Sequence, residues 1–353
     1  MADSNNMSDL WKRLRFVLIG IIVYRIGTHI PIPGIDPQRL SSLFDQNQGT
    51  ILELFNLFSG GALERMSIFA LNVVPYISAA IIMQLFSNSI PYLIELKKDG
   101  QAGRNAITQY TRYGTVLLAF IQASALAVTL SSGGLAYNPG TAFFVSAVFS
   151  VVAGTIFLMW LGEQISERGI GNGISIIIAT SILTGIPSAI GQALEQARQG
   201  DLNILMLLSI GVLAMVVIAV VVFIERGQRR ITVNYAQRQQ GRKLMQAQAS
   251  HLPFKVNMAG VIPAIFASTF LLFPASLSTW FGQGENFGFL QSISLALNPG
   301  QPLYVLTFAA LIISFCFIWL ALTFNTREVS DNLKRSGAYI PGIRPGEQTA
   351  GYI

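Results

Sequence analysis

Apolar residues form long runs along nearly the whole chain, and short polar or charged stretches separate them. An α-helix needs about 20 residues to cross a bilayer, and eight runs approach or exceed that length. A β-barrel would instead show alternating segments of about 10 residues. The predicted spans are Phe16–Ile30, Met66–Ile94, Tyr113–Leu130, Thr141–Leu161, Ile170–Ile190, the run between Asp201 and Glu225, Val256–Trp280 and Pro302–Phe324.

One shorter run interrupts this pattern, and we call residues 51–61 the stub. Ile51–Phe58 carries Glu53 and Asn56, runs into Ser59-Gly-Gly61, and is too short to cross about 30 Å of hydrocarbon. The uncharged stretch Met66–Ile94 follows it and is long enough to span. Irregular backbone at membrane depth is tolerated only where protein buries it or a watery cavity meets it. The stub therefore predicts a cavity.

Composition agrees with a polytopic membrane protein. Of the 353 residues, 52% are hydrophobic and 11% are charged, far below the roughly 25% charged residues of soluble domains. No cleavable signal sequence is apparent, because Asp3 and Asp9 fall where an apolar core would be needed. Cys316 is the single cysteine, so an internal disulfide is excluded and a packing role is expected.

The distribution of basic residues predicts a cytoplasmic N-terminus. With that orientation, eight crossings place nineteen of the 23 lysines and arginines inside, Arg25 within the first span, and only Arg39, Arg65 and Arg198 outside. The stretch Arg226–Lys255 carries seven positive charges and no acid, which favours a docking surface for an anionic partner. Topology alone would also enrich such a loop in cations, and that alternative stays open.

Polar residues within the spans leave two interpretations open. Arg25 lies in the first span, where an arginine costs roughly 2.5 to 3.5 kcal/mol, so it either pairs structurally or marks a site. Asn72, Ser78 and Gln84 lie in the second span and are typical of packing between helices, although a functional role is also possible.

Candidate chemistry is sparse. His29 and His251 are far apart, and neither a metal-binding set nor a catalytic constellation is visible, so we expect no enzyme, metal or cofactor. The rival class is an ion-coupled secondary transporter of a small solute. Such proteins place ionisable residues at mid-membrane, whereas only Arg25 is a candidate here.

Several long segments, in one order along the chain, resemble the SecY family. They are Tyr24–Gly27 with Pro31–Asp36, Phe58–Ala62, Pro75–Ser78, Gln109–Gly114, Gly162–Ile165, Glu167–Ser175, Val222–Arg230, Asn257–Phe266 and Pro341–Thr349. The resemblance implies an all-α, inverted-repeat bundle of ten helices in two halves around a pore. Eight of the ten have counterparts here, in an N-terminal half 1–192 and an incomplete C-terminal half 193–353 whose last two helices are missing.

The resemblance also implies a function, that of a protein-conducting channel subunit. It would pass unfolded secretory polypeptides across the bacterial inner membrane and release hydrophobic segments sideways into lipid. The implied pore ring is Val73, Ile77, Ile174, Ile178 and Ile265. The stub would be the plug, with Ile51, Leu54, Phe55, Phe58, Gly60 and Gly61.

Further roles follow from the same resemblance. The implied lateral gate holds Asn72, Gln84, Gln109 and Asn257. Arg230, Arg242, Lys243 and Arg344 would dock the ribosome and the motor SecA, the first three by neutralising rRNA phosphates and Arg344 by engaging the motor. The small subunits SecE and SecG, signal sequences, nascent polypeptides and the lipid bilayer complete the implied partners. The basic loop would be 226–255 and the cytosolic tail 325–353.

Overall fold

The computed structural model is dominated by helices, as the apolar runs predict. It describes all residues except 1, 41–55, 57–58, 201–202, 236–238, 241–242, 245–248, 269, 272–300 and 325. The helices are α1 (Ala2–Gly27), α2 (Val74–Ser89), α3 (Pro91–Lys98), α4 (Gln101–Ser132), α5 (Thr141–Arg168), α6 (Gly173–Gln199), α7 (Ile204–Arg226), α8 (Pro302–Thr323), α9 (Thr326–Arg335) and α10 (Glu347–Tyr352). The strands are β1 (Gln228–Tyr235), β2 (Gln239–Gln240), β3 (Lys243–Leu244), β4 (Ala249–Lys255) and β5 (Ala338–Tyr339).

The chain divides into two compact units. The first contains 1–195 and 269–307, and the second contains 196–268 and 308–353. The predicted inverted repeat of two halves, 1–192 and 193–353, stays a prediction, because two compact units alone do not establish a repeat.

The second predicted span is not one continuous helix, and that expectation is wrong. Turns continue from Gly60 to Val73, α2 starts only at Val74, and α2 meets α3 at an angle of 97°. Two prolines account for this. Pro75 sits in the first turn of α2, and Ile90 is held in extended backbone immediately before Pro91, where a helical conformation is disfavoured.

Small residues on α4 let it approach α2 and α5 closely in the first unit. The buried positions recur every four residues along one face of the helix: Thr111, Thr115, Ala119, Ala123 and Ala127. Both threonines satisfy their hydroxyls within the helix, since each Oγ1 donates to the carbonyl four residues earlier. Such stripes are typical of helix packing in membranes, where van der Waals contact drives association.

The second unit contains a hairpin that the apolar pattern did not reveal. β1 pairs antiparallel with β4 and, on its other edge, with β5. Ile231 and Val233 point to one face of β1 and pack with Leu333, Ala338 and Ile340. We call β1, β4, β5, α9 and α10 the hairpin module. The described parts of the predicted basic loop and tail therefore pack against each other.

Within the described part of the chain, five helices are long and apolar enough to cross a membrane, or six if α2 and α3 count as one bent span. The helical membrane fold is thus confirmed, while the count of eight is not reached. α1 falls short because Lys12, Arg13, Arg15 and Arg25 all lie in its apolar part or next to it. The seventh predicted span is helical over 262–268, and most of the remainder lies outside the described residues.

Candidate functional site

Four of the five predicted ring residues lie in one apolar cluster of the first unit. Val73 is 1% exposed at the start of α2, and Ile77 follows one turn later, its backbone N–H donating to the Val73 carbonyl at 3.0 Å. Ile174 and Ile178 are one turn apart on α6 and, like Ile77, are partly buried against the cluster that contains Val73. Ile265 is half-buried in the second unit, so its place in the ring stays a prediction.

The described end of the stub lies against the same helices. Of the predicted plug residues, Gly60 and Gly61 are described, whereas Ile51, Leu54, Phe55 and Phe58 lie outside the described residues. Asn56 closes this end, since its Nδ2 donates to Glu64 Oε2 at 2.9 Å and its Oδ1 accepts from the Glu64 backbone N–H at 3.0 Å. The stub therefore terminates in a tight turn.

Two neighbouring side chains of α1 hold two neighbouring carbonyls of the stub. The Tyr24 hydroxyl contacts the Ser59 carbonyl at 3.1 Å, and the Arg25 guanidinium donates to the Gly60 carbonyl at 3.1 Å. Arg25 is half-buried, so its charge is matched by a backbone dipole rather than by an acid. The structure thus favours the structural interpretation of this arginine of the first predicted span.

A buried hydroxyl on α6 joins this contact to α2. Ser181 is fully buried, and its Oγ lies 2.6 Å from the Tyr24 hydroxyl and accepts from Asn72 Nδ2 at 3.1 Å. We call Tyr24, Ser59, Asn72 and Ser181 the Ser181 cluster. Buried polar groups are costly unless they are hydrogen-bonded, so these contacts fix the relative positions of α1, α6, the stub and the start of α2.

Backbone geometry brings the stub into place. Gly60 has φ +67°, and a Cβ there would lie 3.1 Å from the Ser181 Cα, so only glycine lets the two backbones approach this closely. Asn72 also has positive φ, at +48°, a conformation that asparagine tolerates better than most residues. On α5, Gly154 leaves room for the Ile68 carbonyl, which would lie 2.0 Å from a Cβ.

The predicted gate residues have local partners. Asn72 bonds Ser181, Gln109 donates to the Tyr113 hydroxyl at 3.1 Å, and Asn257 donates to Glu225 at 3.4 Å. Gln84 is half-buried on α2, which packs against the helix of Gln109. Asn72 and Asn257 belong to different units, so their proposed contact across a seam stays a prediction.

Two of the predicted docking residues lie in the hairpin module. Arg230 is exposed on β1, and Arg344 is exposed between β5 and α10. Next to Arg230, the Arg229 guanidinium lies 5.7 Å from the centre of the Tyr352 ring. Lys243 lies in the short strand β3, and Arg242 lies outside the described residues. No group of three potential metal ligands occurs among the described side chains.

Sequence reasoning missed Ser181, which joins three elements. Its only signal is a hydroxyl inside an apolar run, and such residues usually bond their own helix, as Ser181 Oγ also does with the Ile177 carbonyl at 2.9 Å. Tyr24 was noticed only as part of a family motif. A tyrosine within a span was a usable signal, because its hydroxyl needs a partner when it is buried.

Interrupted spans that enclose an irregular segment beside an apolar cluster place this protein in the class of polytopic channels and transporters. The family model described as SecY matches residues 67–353. The chain belongs to the SecY family.

Individual relatives agree with this assignment. "Protein translocase subunit SecY" of Pseudomonas aeruginosa is 63% identical over 351 residues, which cover 99% of this chain and 79% of the relative. Two solved structures share the fold at low identity. One, described as the plug domain of SecY stabilising the closed state of the translocation channel, has a TM-score of 0.65 at 18% identity and covers 97% of this chain and 80% of its own. The other, an idle yeast Ssh1 complex on the 80S ribosome, has a TM-score of 0.66 at 16% identity, with 97% and 79% covered.

Proposed function

We propose that this chain is the channel subunit of a protein translocase, passing unfolded polypeptides across a membrane and releasing hydrophobic segments into it. The 63% identity to a protein translocase subunit along 99% of the chain carries this conclusion. The same observation gives no support to the alternative of an ion-coupled transporter for a small solute.

The apolar cluster supplies the physical basis for conduction. We infer that Val73, Ile77, Ile174 and Ile178 form one side of a dry constriction, which Ile265 would complete. Aliphatic side chains offer no hydrogen bonds to water or ions, so a narrow pore lined by them dewets and resists leakage. They also yield around a passing chain of any composition. The constriction therefore needs no recognition of sequence, and the channel needs no catalytic group.

Sorting between export and membrane insertion follows from partitioning. Each Leu, Ile, Phe or Val at the centre of a segment gains roughly 0.3 to 0.6 kcal/mol on entering lipid, and each charged residue costs about 2.5 to 3.5 kcal/mol. A channel that parts along one side lets every segment sample the bilayer. We propose that the seam lies beside Gln84 and Gln109, with Asn257 on the facing side, where weak hydrogen bonds permit opening.

The direct test of this function uses purified protein in vesicles with its partner subunits and a driving motor. A secretory precursor should become protected from external protease, and the same precursor carrying 20 leucines should instead remain embedded in the membrane. A precursor with three aspartates inside that leucine stretch is the matched control and should return to the lumen. The proposed function would be contradicted if none of the three precursors became protected from protease, or if the vesicles took up a small solute driven by ions.

Family membership and the charge of the hairpin module support a proposal about the partners. We propose that SecE and SecG accompany the chain in a bacterial inner membrane, with the N-terminus in the cytoplasm, and that SecA and the ribosome dock on the cytoplasmic side. Arg230 is exposed and suits a phosphate contact, whose strength falls steeply with salt. The yeast Ssh1 complex bound to the 80S ribosome, which is among the structural neighbours, supports the ribosome as one partner.

Arg344 gives the sharpest test of the motor contact. Its side chain is exposed, while its carbonyl accepts from Thr349 Oγ1 at 2.9 Å, so the loop is fixed independently of the charge. Arg344→Glu should reduce motor-driven export at least ten-fold without altering folding, and Arg335→Glu on the neighbouring helix is the control. If export by the Arg344→Glu variant were unchanged, Arg344 would not take part in the contact with the motor.

A further inference from the structure

The Ser181 cluster contains more acceptors than hydroxyl protons. Tyr24 and Ser181 carry one hydroxyl hydrogen each, and they face three contacts: Tyr24 to the Ser59 carbonyl at 3.1 Å, Tyr24 to Ser181 Oγ at 2.6 Å, and Ser181 to the Ile177 carbonyl at 2.9 Å. Two protons cannot fill three bonds at once. Two arrangements place one proton in the short contact between Tyr24 and Ser181, and they differ in whether Tyr24 donates to the Ser59 carbonyl of the stub.

In the first arrangement the stub takes part. Tyr24 donates to the Ser59 carbonyl, Ser181 donates to the Tyr24 oxygen, and Asn72 Nδ2 donates to Ser181 Oγ at 3.1 Å. Arg25 holds the next carbonyl, that of Gly60, at 3.1 Å. The stub end is thus tied to α1 directly and to α2 and α6 through Ser181.

In the second arrangement neither hydroxyl uses the Ser59 carbonyl, and both remain bonded. Tyr24 turns its proton to Ser181 Oγ, and Ser181 turns its proton to the Ile177 carbonyl one turn earlier on α6. Asn72 Nδ2 still donates to Ser181. Leaving a buried hydroxyl unsatisfied is costly, and this relay of two protons avoids that cost when the stub departs.

We propose that Tyr24, Ser181 and Asn72 act as positioning residues in a reversible latch, which holds the stub end in the arrangement seen here and releases it without stranding a buried hydroxyl. This inference rests on the proposed function, because release of the stub matters only in a protein that conducts.

The test measures how often the stub end opens. Ala62 is fully buried beside the cluster, and Cys316 is the only cysteine, so Ala62→Cys in a Cys316→Ala background reports opening through its rate of maleimide labelling. Tyr24→Phe and Ser181→Ala each remove one hydroxyl with little loss of volume. Hydrogen bonds between membrane helices correspond on average to about a three-fold change in an equilibrium constant, so each variant should label roughly three to ten times faster.

Energetic coupling between Tyr24 and Ser181 distinguishes a latch from ordinary packing. The double variant Tyr24→Phe with Ser181→Ala should label no faster than the faster single variant, because both changes break the same relay. Thr180→Val is the matched control, since Thr180 Oγ1 bonds only the Ile176 carbonyl at 2.8 Å and should leave labelling unchanged. Tyr24→Phe keeps the ring stacked on Phe69, whose centre lies 6.1 Å away, which protects folding.

The outcomes distinguish this inference from the proposed function. Labelling needs no export, so equal rates in folded wild-type and variant proteins would overturn the latch while export by the wild type still upheld the channel. If the increase in labelling rate of the double variant equalled the product of the increases of the two single variants, the latch would also be overturned, because two independent contacts would then be indicated. As a second readout, precursors with weakened signal sequences should be exported several-fold better by Tyr24→Phe than by the wild type or Thr180→Val.

Discussion

The polar side chains of the Ser181 cluster are buried, whereas Arg230 and Arg344 of the hairpin module are exposed. In the first region, hydrogen bonds from Tyr24, Arg25 and Asn72 position backbone that has no regular structure. In the second region, an apolar core around Val233 positions the backbone and leaves Arg230 and Arg344 at the surface. The difference teaches that an arginine positions backbone where it is half-buried, as Arg25 does, whereas we propose partner binding for Arg230 and Arg344, which are exposed.

The largest effect on the difference between the two regions is expected from a charge placed in the apolar core of the hairpin module. Val233 is 2% exposed, so Val233→Asp buries a carboxylate without a partner and should destabilise the module by about 3 kcal/mol or more. Ribosome and motor binding should be lost, while the labelling rate at Ala62→Cys should stay unchanged. Limited proteolysis between Gln228 and Lys255 measures the unfolding.

A matched control lies one residue away. Thr232 is exposed on the opposite face of β1, so Thr232→Asp adds the same charge without burying it and should leave proteolysis nearly unchanged. If both variants were equally sensitive to protease, the core would not be what positions this module.

A smaller effect is expected where the irregular segment meets α5. A Cβ at Gly154 would lie 2.0 Å from the Ile68 carbonyl, so Gly154→Ala must displace the backbone that precedes α2, at a cost of about 1 to 3 kcal/mol. The thermal midpoint in detergent should fall, and Ala62→Cys should label faster. Gly191→Ala on α6 is the control, because a Cβ there meets nothing within 4 Å. Equal midpoints for the two variants would contradict the close approach.

The smallest effect is expected for an exposed ion pair of the first unit. Arg112 on α4 donates two bonds to Glu163 on α5, at 2.9 and 2.8 Å, yet the Arg112 side chain is 47% exposed. Exposed pairs contribute about 0.2 to 1 kcal/mol, so Arg112→Gln should lower the thermal midpoint slightly and less in high salt. Arg104→Gln on the same helix is the control. A loss as large as that of Gly154→Ala would show that burial does not decide the effect.

The sequence predicted the helical membrane fold because long apolar runs need no tertiary information to be recognised. The prediction of one continuous helix in the second span was wrong, because a count of uncharged residues gives no weight to the limits that Pro75 and Pro91 set on a helix. Arg226–Lys255 was also predicted to be a loop, although Arg230-Ile-Thr-Val233 alternates with the period of a strand. The high net charge of that stretch hid the apolar face of β1.

The candidate site was predicted in its apolar part only. The four-residue spacing of Ile174 and Ile178 places both on one face of α6, and the resemblance supplied the rest of the ring. The polar contacts could not be predicted from the sequence, because Ser59 and Gly60 accept hydrogen bonds through backbone carbonyls, which every residue possesses. Which side chain meets a given carbonyl depends on the tertiary fold.

The most direct test of the central claim is crosslinking of a translocating chain to the apolar cluster. Single cysteines replacing Ile77 and Ile178, in a Cys316→Ala background, should crosslink to a stalled secretory polypeptide carrying a cysteine near its midpoint. Leu183, 60% exposed on the same helix as Ile178, is the control and should give at least ten-fold less product. Equal or stronger crosslinking at Leu183 would contradict passage of the polypeptide beside Ile77 and Ile178.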